Sequence, residues 1–88
     1  MNISTEFGNY PLKYKGTLQE SANNLITSEK SGIYDVYSPS YDCPGPYGTL
    51  VAIAHTYYKA QIFIQYTSLA WVRGKPEGAW NSWWSINS

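Results

Sequence analysis

The chain has 88 residues and a formal net charge of zero, because six basic side chains balance six acidic ones. That balance argues against a nucleic-acid or anionic-membrane partner, and no apolar run approaches the ~18 residues of a membrane helix. The length predicts one small domain with a high aromatic content: four Trp, nine Tyr and two Phe. So short a chain buries only about 60–65% of its unfolded surface, and oligomerisation is a common remedy.

The first part of the chain shows little regular pattern. Residues 1–16 mix polar and aromatic side chains, and we interpret them as an N-terminal lead-in that connects to something longer. The folded domain is then predicted to span residues 17–88. Within it, residues 17–30 place apolar side chains near a helical stripe. Because Asn23 and Asn24 are poor helix formers, a short helix and an ordered turn are equally compatible with this segment.

The middle of the chain predicts two strands around a long loop. Residues 32–37 alternate in the manner of a strand. Residues 38–48 contain three prolines and two glycines, which makes a regular element improbable. Residues 49–56 resume as a strand with little polar interruption, so both of its faces are expected to be covered.

The C-terminal third predicts a three-stranded meander. Residues 59–66 alternate with the period of a strand that buries one face, and residues 69–73 form its hairpin partner. A last strand carries Trp80, Trp83 and Trp84. The set of residues 59–66 that the pattern places on the buried face is Ala60, Ile62, Ile64 and Tyr66. The predicted fold is therefore mainly β: about five antiparallel strands in a meander or sandwich-like knob, with at most one short helix.

Catalytic and metal-binding chemistry find little support in the sequence. His55 is the only histidine and Cys43 the only cysteine, so no metal-ligand spacing and no intrachain disulfide is available. Cys43 beside Pro44 is more often inert than a nucleophile with His55 as its base. The carboxylates, none of them in a recognisable motif, are Glu6, Glu20, Glu29, Asp35, Asp42 and Glu77. We predict a non-enzymatic protein without cofactor or metal.

The aromatic side chains are the strongest functional signal. Tyr and Trp rings stack on sugars and anchor protein interfaces, and aromatics in loops are better ligand candidates than those in strands. Asp42 would accept hydrogen bonds from sugar hydroxyls. Inward packing of the loop tyrosines is an equally good interpretation. The candidate ligand residues are Tyr41, Asp42, Tyr47, Tyr57, Tyr58 and Trp84.

Several short segments, taken in order, resemble the pyocin knob domain of bacteriophage tail fibres and phage-tail-like bacteriocins. The resemblance covers residues 18–86. The segments that carry it are GIY at 32–34, the proline-rich loop, GTLV at 48–51, QIF at 61–63, WVR at 71–73 and WNSW at 80–83. The resemblance implies structural roles for Gly32, Tyr34, Arg73, Trp80 and Trp83.

The resemblance and the strand period disagree about the tryptophans. An unbroken strand places Trp80 and Trp84 on one face and leaves Trp83 on the other. The resemblance instead makes Trp80 and Trp83 a structural pair and Trp84 an extra residue. A bulge would reconcile the two. The turn at Thr67 and Ser68 also departs from the family, because it lacks the usual Gly or Asn.

The resemblance implies a receptor-binding or tip module of a homotrimeric tail fibre. Such a module folds in the cytoplasm of the producing cell and acts on the virion, where it recognises a bacterial surface receptor, either glycan or protein. One alternative is a structural knob that trimerises or caps the fibre without a receptor site. A second alternative is a carbohydrate-binding module.

Overall fold

The computed structural model describes residues 12–38 and 41–86, which form one six-stranded sheet. The strands lie in the sheet in chain order, and two 3-10 helices, Ala22–Asn24 and Ser28–Lys30, connect the first strand to the second. The strands are β1 (Tyr14–Thr17), β2 (Gly32–Val36), β3 (Gly48–Ala54), β4 (Lys59–Gln65), β5 (Ala70–Gly74) and β6 (Trp84–Ser85). The predicted mainly β fold class is confirmed.

Five of the strands form the predicted antiparallel meander, and β1 is added to it in parallel. Strands β2 to β6 pair antiparallel with their neighbours, whereas β1 pairs with β2 in the parallel direction. A parallel pair requires a crossover connection, and the 3-10 helices lie in that crossover. The second layer of the fold is therefore this crossover segment rather than the second sheet of a sandwich.

Strand β1 runs across the predicted boundary at Gly16. Backbone hydrogen bonds tie this region to β2: the Ile33 amide donates to the Lys13 carbonyl, and the Leu18 amide donates to the Asp35 carbonyl, each at 2.8 Å. Gly16 has a φ of +85°, and the register between β1 and β2 shifts at this point. A strand of four residues with such an irregularity shows no alternating pattern in the sequence. The rest of the proposed lead-in, residues 1–11, lies outside the described residues.

The core lies between the sheet and the crossover segment. The crossover contributes apolar side chains at the spacing that favoured a helix, but Ser21 caps a single turn through the Asn23 amide and the chain then leaves the helical path. The sheet contributes alternate residues of β2, β3 and β4. The buried hydrophobic cluster comprises Leu18, Ala22, Leu25, Tyr34, Val36, Cys43, Leu50, Ala52 and Phe63.

The buried face of β4 is the reverse of the predicted one. Phe63 is fully buried opposite Leu50, while Ile64 is 46% exposed. Gln61 is also buried, because its side-chain nitrogen donates to the Ala22 carbonyl at 2.7 Å. A polar side chain with satisfied hydrogen bonds can enter a core, and hydropathy alone does not register that. The apolar set Ala60, Ile62, Ile64 and Tyr66 consequently faces outward.

The outward face of the sheet is not covered by any of the described residues. Val51 and Ile53 of β3 share this face and are only half-buried, so the prediction that both faces of β3 are covered does not hold within the described chain. We call this surface the open face. Its strands alternate between core and open side chains, as expected for a sheet with one covered side.

Replacing Phe63 and Ile64 separately by alanine tests the assignment of the two faces. We expect Phe63→Ala to lower the free energy of unfolding by about 3–5 kcal/mol, because it leaves a cavity in the core. The adjacent Ile64→Ala variant is the matched control and should cost less than about 1 kcal/mol. Urea denaturation measures both. A larger loss for Ile64→Ala would reverse the assignment.

Candidate functional site

A buried arginine organises the covered side of the sheet at β5. The Arg73 guanidinium lies between the Trp80 and Trp83 rings, 4.4 Å from each ring centroid, and its Nε donates to Gln61 Oε1 at 2.9 Å. Burial lowers the pKa of Arg73, but an arginine remains charged at neutral pH. Two aromatic faces therefore stabilise a desolvated cation. We call these four residues the arginine clamp.

The clamp also holds the loops that surround it. Trp80 Nε1 donates to the Asn23 carbonyl at 3.1 Å, and Trp83 Nε1 donates to the Asp42 carbonyl at 2.9 Å. Residues 80–83 are irregular, and the last strand contains only Trp84 and Ser85. The strand-period assignment of the tryptophans is therefore wrong, and no bulge is needed, because the segment that would contain it is not a strand.

Two other motif residues occupy tight positions at the crossover. A Cβ on Gly32 would lie 2.5 Å from Lys15 Cγ and 2.7 Å from the Lys13 carbonyl, so glycine permits the close approach of β1. The Tyr34 hydroxyl donates to the Lys30 carbonyl at 2.6 Å. Burial raises the pKa of Tyr34. Gly32 and Tyr34 therefore hold β1 and the crossover segment against β2.

The proline-rich loop does not present its candidate residues together. Tyr41 is half-buried and packs against the core. Asp42 has a φ of +64°, and its carboxylate accepts a hydrogen bond from the Ser21 hydroxyl. Tyr47, with a φ of +59°, directs its ring outward and is 58% exposed. Tyr47 lines a cleft.

That cleft lies where the loop enters β3. Tyr47 and Tyr66 meet edge to face, with ring centroids 6.2 Å apart and planes at 89°. Backbone and side-chain hydrogen bonds fix them: the Tyr66 amide donates to the Tyr47 carbonyl at 3.0 Å, and Gln65 Nε2 donates to the Pro46 carbonyl at 2.9 Å. Tyr37 lines the same cleft, whose volume is about 370 Å³. We call it the tyrosine cleft.

The tyrosine cleft also contains a carboxylate. Asp35 lines it and accepts a hydrogen bond from the Tyr14 hydroxyl at 2.5 Å. This hydrogen bond raises the pKa of Tyr14. The sequence did not single out Tyr37, Tyr66 or Asp35, because strand positions were ranked below loop positions. Asp35 and Tyr37 lie at the end of β2, which leads into the proline-rich loop, whereas Tyr66 follows β4 and reaches the loop only through the pairing of β3 with β4.

The remaining candidates lie elsewhere. Tyr57 and Tyr58 are each 78% exposed and line a second cleft of about 580 Å³, together with Lys59 and Asn81. This second cleft is at the opposite end of β4 from the tyrosine cleft. Trp84 is 67% exposed and lies on the open face. The structure therefore separates the six predicted ligand residues into different surfaces instead of assembling them into one site.

The described residues limit other chemistries in two ways. In residues 12–38 and 41–86, no three His, Cys, Asp or Glu side chains lie together as a metal site would require. Neither of the two 3-10 helices in the described chain is long and apolar enough to cross a membrane.

The comparisons with known proteins give no match: no family model matches the chain, and no curated protein or solved structure matches it significantly. The resemblance to the pyocin knob accordingly stays a prediction.

Substituting the neighbouring tryptophans tests the arginine clamp. We expect Trp83→Ala to lower the free energy of unfolding by roughly 3 kcal/mol, because it removes a ring from Arg73 and a hydrogen bond from Asp42. Trp84→Ala is the control and should cost less than about 1 kcal/mol. Thermal or urea unfolding measures both. Equal losses would contradict the clamp.

The thiol of Cys43 should be unreactive in the folded protein. Cys43 is buried, and burial raises its pKa to about 11. The nucleophilic thiolate is therefore scarce below that pH. We expect labelling with iodoacetamide at pH 8 to be at least tenfold slower in native protein than in urea, and to accelerate as the pH rises. Native labelling as fast as that of the unfolded chain would refute this.

Proposed function

We propose that this chain is a receptor-binding module of a phage or phage-like tail fibre, and that it binds a glycan on the bacterial surface through the tyrosine cleft. The observation that carries the ligand class is the convergence of Tyr37, Tyr47 and Tyr66 around a carboxylate, Asp35. The fibre assignment rests on the resemblance alone.

The cleft has the chemistry that a sugar requires. A tyrosine face stacks on the apolar face of a pyranose ring, and the tyrosine hydroxyl adds a polar contact. The Asp35 carboxylate accepts hydrogen bonds from sugar hydroxyls, since an ionised carboxylate offers about four lone-pair sites and Tyr14 uses one of them. The volume of about 370 Å³ is at the lower end of the range for small-ligand sites.

Weak binding at one such cleft is sufficient for a fibre. Copies that are held on one particle meet a surface at high effective concentration, so their combined avidity exceeds the affinity of a single site. The proposal therefore includes a homotrimer, and it requires no covalent chemistry. The end of the proline-rich loop is also ordered before a ligand binds, because the Pro46 and Tyr47 carbonyls accept hydrogen bonds. Binding there therefore loses less conformational entropy.

A structural knob without a receptor site is the second candidate. The observation that favours it is the open face, where Ile62 and Val72 pair beside the exposed Trp84 and offer a surface for assembly. Binding measurements on the isolated domain distinguish the two candidates, because a purely structural knob binds neither cells nor glycans.

Alanine variants of the tyrosine cleft test the proposed function. Fluorescently labelled domain is applied to a panel of bacterial strains and to an immobilised glycan array. We expect Tyr47→Ala and Tyr66→Ala each to weaken binding at least tenfold, since loss of one stacking ring removes a main contact. The melting temperature should change by only a few degrees, because both rings are largely exposed.

The matched controls are Tyr57→Ala and Tyr58→Ala, which remove exposed tyrosine rings from the second cleft. They should bind as the unsubstituted protein does. Binding that is lost in the control variants and kept in Tyr47→Ala and Tyr66→Ala would move the site to the second cleft. No binding by the unsubstituted domain in either assay would favour the structural knob.

A further inference from the structure

The tyrosine cleft contains a negative charge that the protein does not neutralise. Of the described residues that line it, Asp35 is the charged one, and none is Lys, Arg or His. The Asp35 carboxylate accepts a hydrogen bond from Tyr14 and forms no salt bridge with any described residue. The Gln65 side chain, also in the lining, is occupied within the protein, because its amide bonds to Pro46 and Thr67. The carboxylate is therefore the main polar group that a ligand meets.

The rings beside this carboxylate form the walls of the cleft. Tyr47 and Tyr66 stand at 89° to each other with their centroids 6.2 Å apart, so they make two perpendicular walls. Tyr37 adds a third ring to the lining, and Ile64 adds an aliphatic side chain. The face of an aromatic ring is electrostatically negative and attracts a cation. Three phenol rings beside a carboxylate therefore have the composition of an aromatic cage, which is a kind of site that binds ammonium groups.

The second cleft has the opposite charge. It also presents two exposed tyrosines, Tyr57 and Tyr58, but its charged lining residues are Lys59 and Lys75. These ammonium groups repel a cationic ligand, whereas Asp35 attracts one. The two clefts therefore offer similar aromatic surfaces to a sugar and differ in the charge that they select.

We propose that the tyrosine cleft selects a glycan that carries an alkylammonium group, either the primary amine of an amino sugar or a quaternary ammonium substituent. The cation lies against the tyrosine rings and beside the Asp35 carboxylate, and the attached sugar occupies the rest of the cleft. A neutral sugar leaves the carboxylate without a counter-charge, and an acidic sugar brings like charges together. The ammonium selectivity rests on the proposed function, because it concerns the ligand of the same cleft.

Titration of the ¹⁵N-labelled domain with paired small ligands tests the selectivity. Glucosamine and glucose differ in one substituent, which is an ammonium group in glucosamine at about pH 6. We expect both to shift the backbone amides of Gly48 and Tyr66, and the dissociation constant of glucosamine to be at least threefold lower at equal ionic strength. Choline chloride distinguishes the two sources of the cation. Tighter binding of choline than of glucosamine assigns the quaternary group, and the reverse order assigns the amino sugar.

Removing the carboxylate should remove the preference. Asp35→Asn loses the charge but keeps an oxygen that can accept the Tyr14 hydroxyl, and we expect it to bind glucosamine and glucose equally. The matched control is Glu29→Gln, which removes an exposed carboxylate from the second 3-10 helix and changes the net charge by the same amount. It should keep the preference for glucosamine. The dispersion of the amide spectrum verifies that each variant is folded.

The outcomes separate this selectivity from the proposed function. Cell or glycan-array binding that depends on Tyr47 and Tyr66, without any preference for glucosamine over glucose, would overturn the selectivity and leave the function in place. Ammonium binding in the cleft without binding to cells or arrays would overturn the function and leave the selectivity in place. A preference that survives Asp35→Asn would overturn the selectivity, as would the absence of cleft shifts with both cations at about 100 mM.

Discussion

The arginine clamp is the interaction on which the rest of the covered side depends. Burying a guanidinium costs free energy unless it has partners. Arg73 obtains them from two tryptophan faces and the Gln61 side chain, while its Nη2 has no hydrogen-bond partner among the described residues. Two of these partners also bind other segments. Gln61 donates a hydrogen bond to the Ala22 carbonyl of the crossover, and Trp83 donates one to the Asp42 carbonyl of the proline-rich loop. Trp80 and Trp83, three residues apart, therefore both contact the Arg73 guanidinium. These contacts hold the irregular segment 80–83 on the sheet, although it does not pair as a strand.

The two sides of the sheet, the covered side and the open face, therefore differ in what their side chains contact. On the covered side, aromatic side chains pack in the core or against Arg73. They are Tyr34, Tyr41, Trp71, Trp80 and Trp83. The tyrosine cleft lies where the loop enters β3, and the ring of Tyr47 is positioned there by Tyr66. The open face carries a different set of aromatic and aliphatic groups. The tyrosine cleft and the open face meet at Asp35, Thr49 and Ile64, which belong to both.

Much of the fold could be predicted from the sequence, and the failures have specific causes. Turn residues and period two predicted β2 to β5 because these strands are regular. Strand β1 was missed because Gly16 interrupts four residues, and the face of β4 was reversed because Gln61 is buried through two hydrogen bonds that span the chain. Of the residues that line the tyrosine cleft, the sequence analysis named Tyr47 as a ligand candidate. The others lie at the ends of β2 and β4, and sequence order does not show that Asp35, Tyr37 and Tyr66 line one cleft.

Hydrogen exchange of the tryptophan indoles in an Arg73→Lys variant tests the clamp most directly. Lysine keeps the charge but loses the planar surface and the Nε donor. In the unsubstituted protein the account predicts slow exchange at the Trp80 and Trp83 indoles and fast exchange at Trp84. In Arg73→Lys the first two should exchange at least tenfold faster, while the amides of the β3–β4 ladder remain protected. Indole exchange that is unchanged in the variant would contradict the claim that Arg73 holds this segment on the sheet.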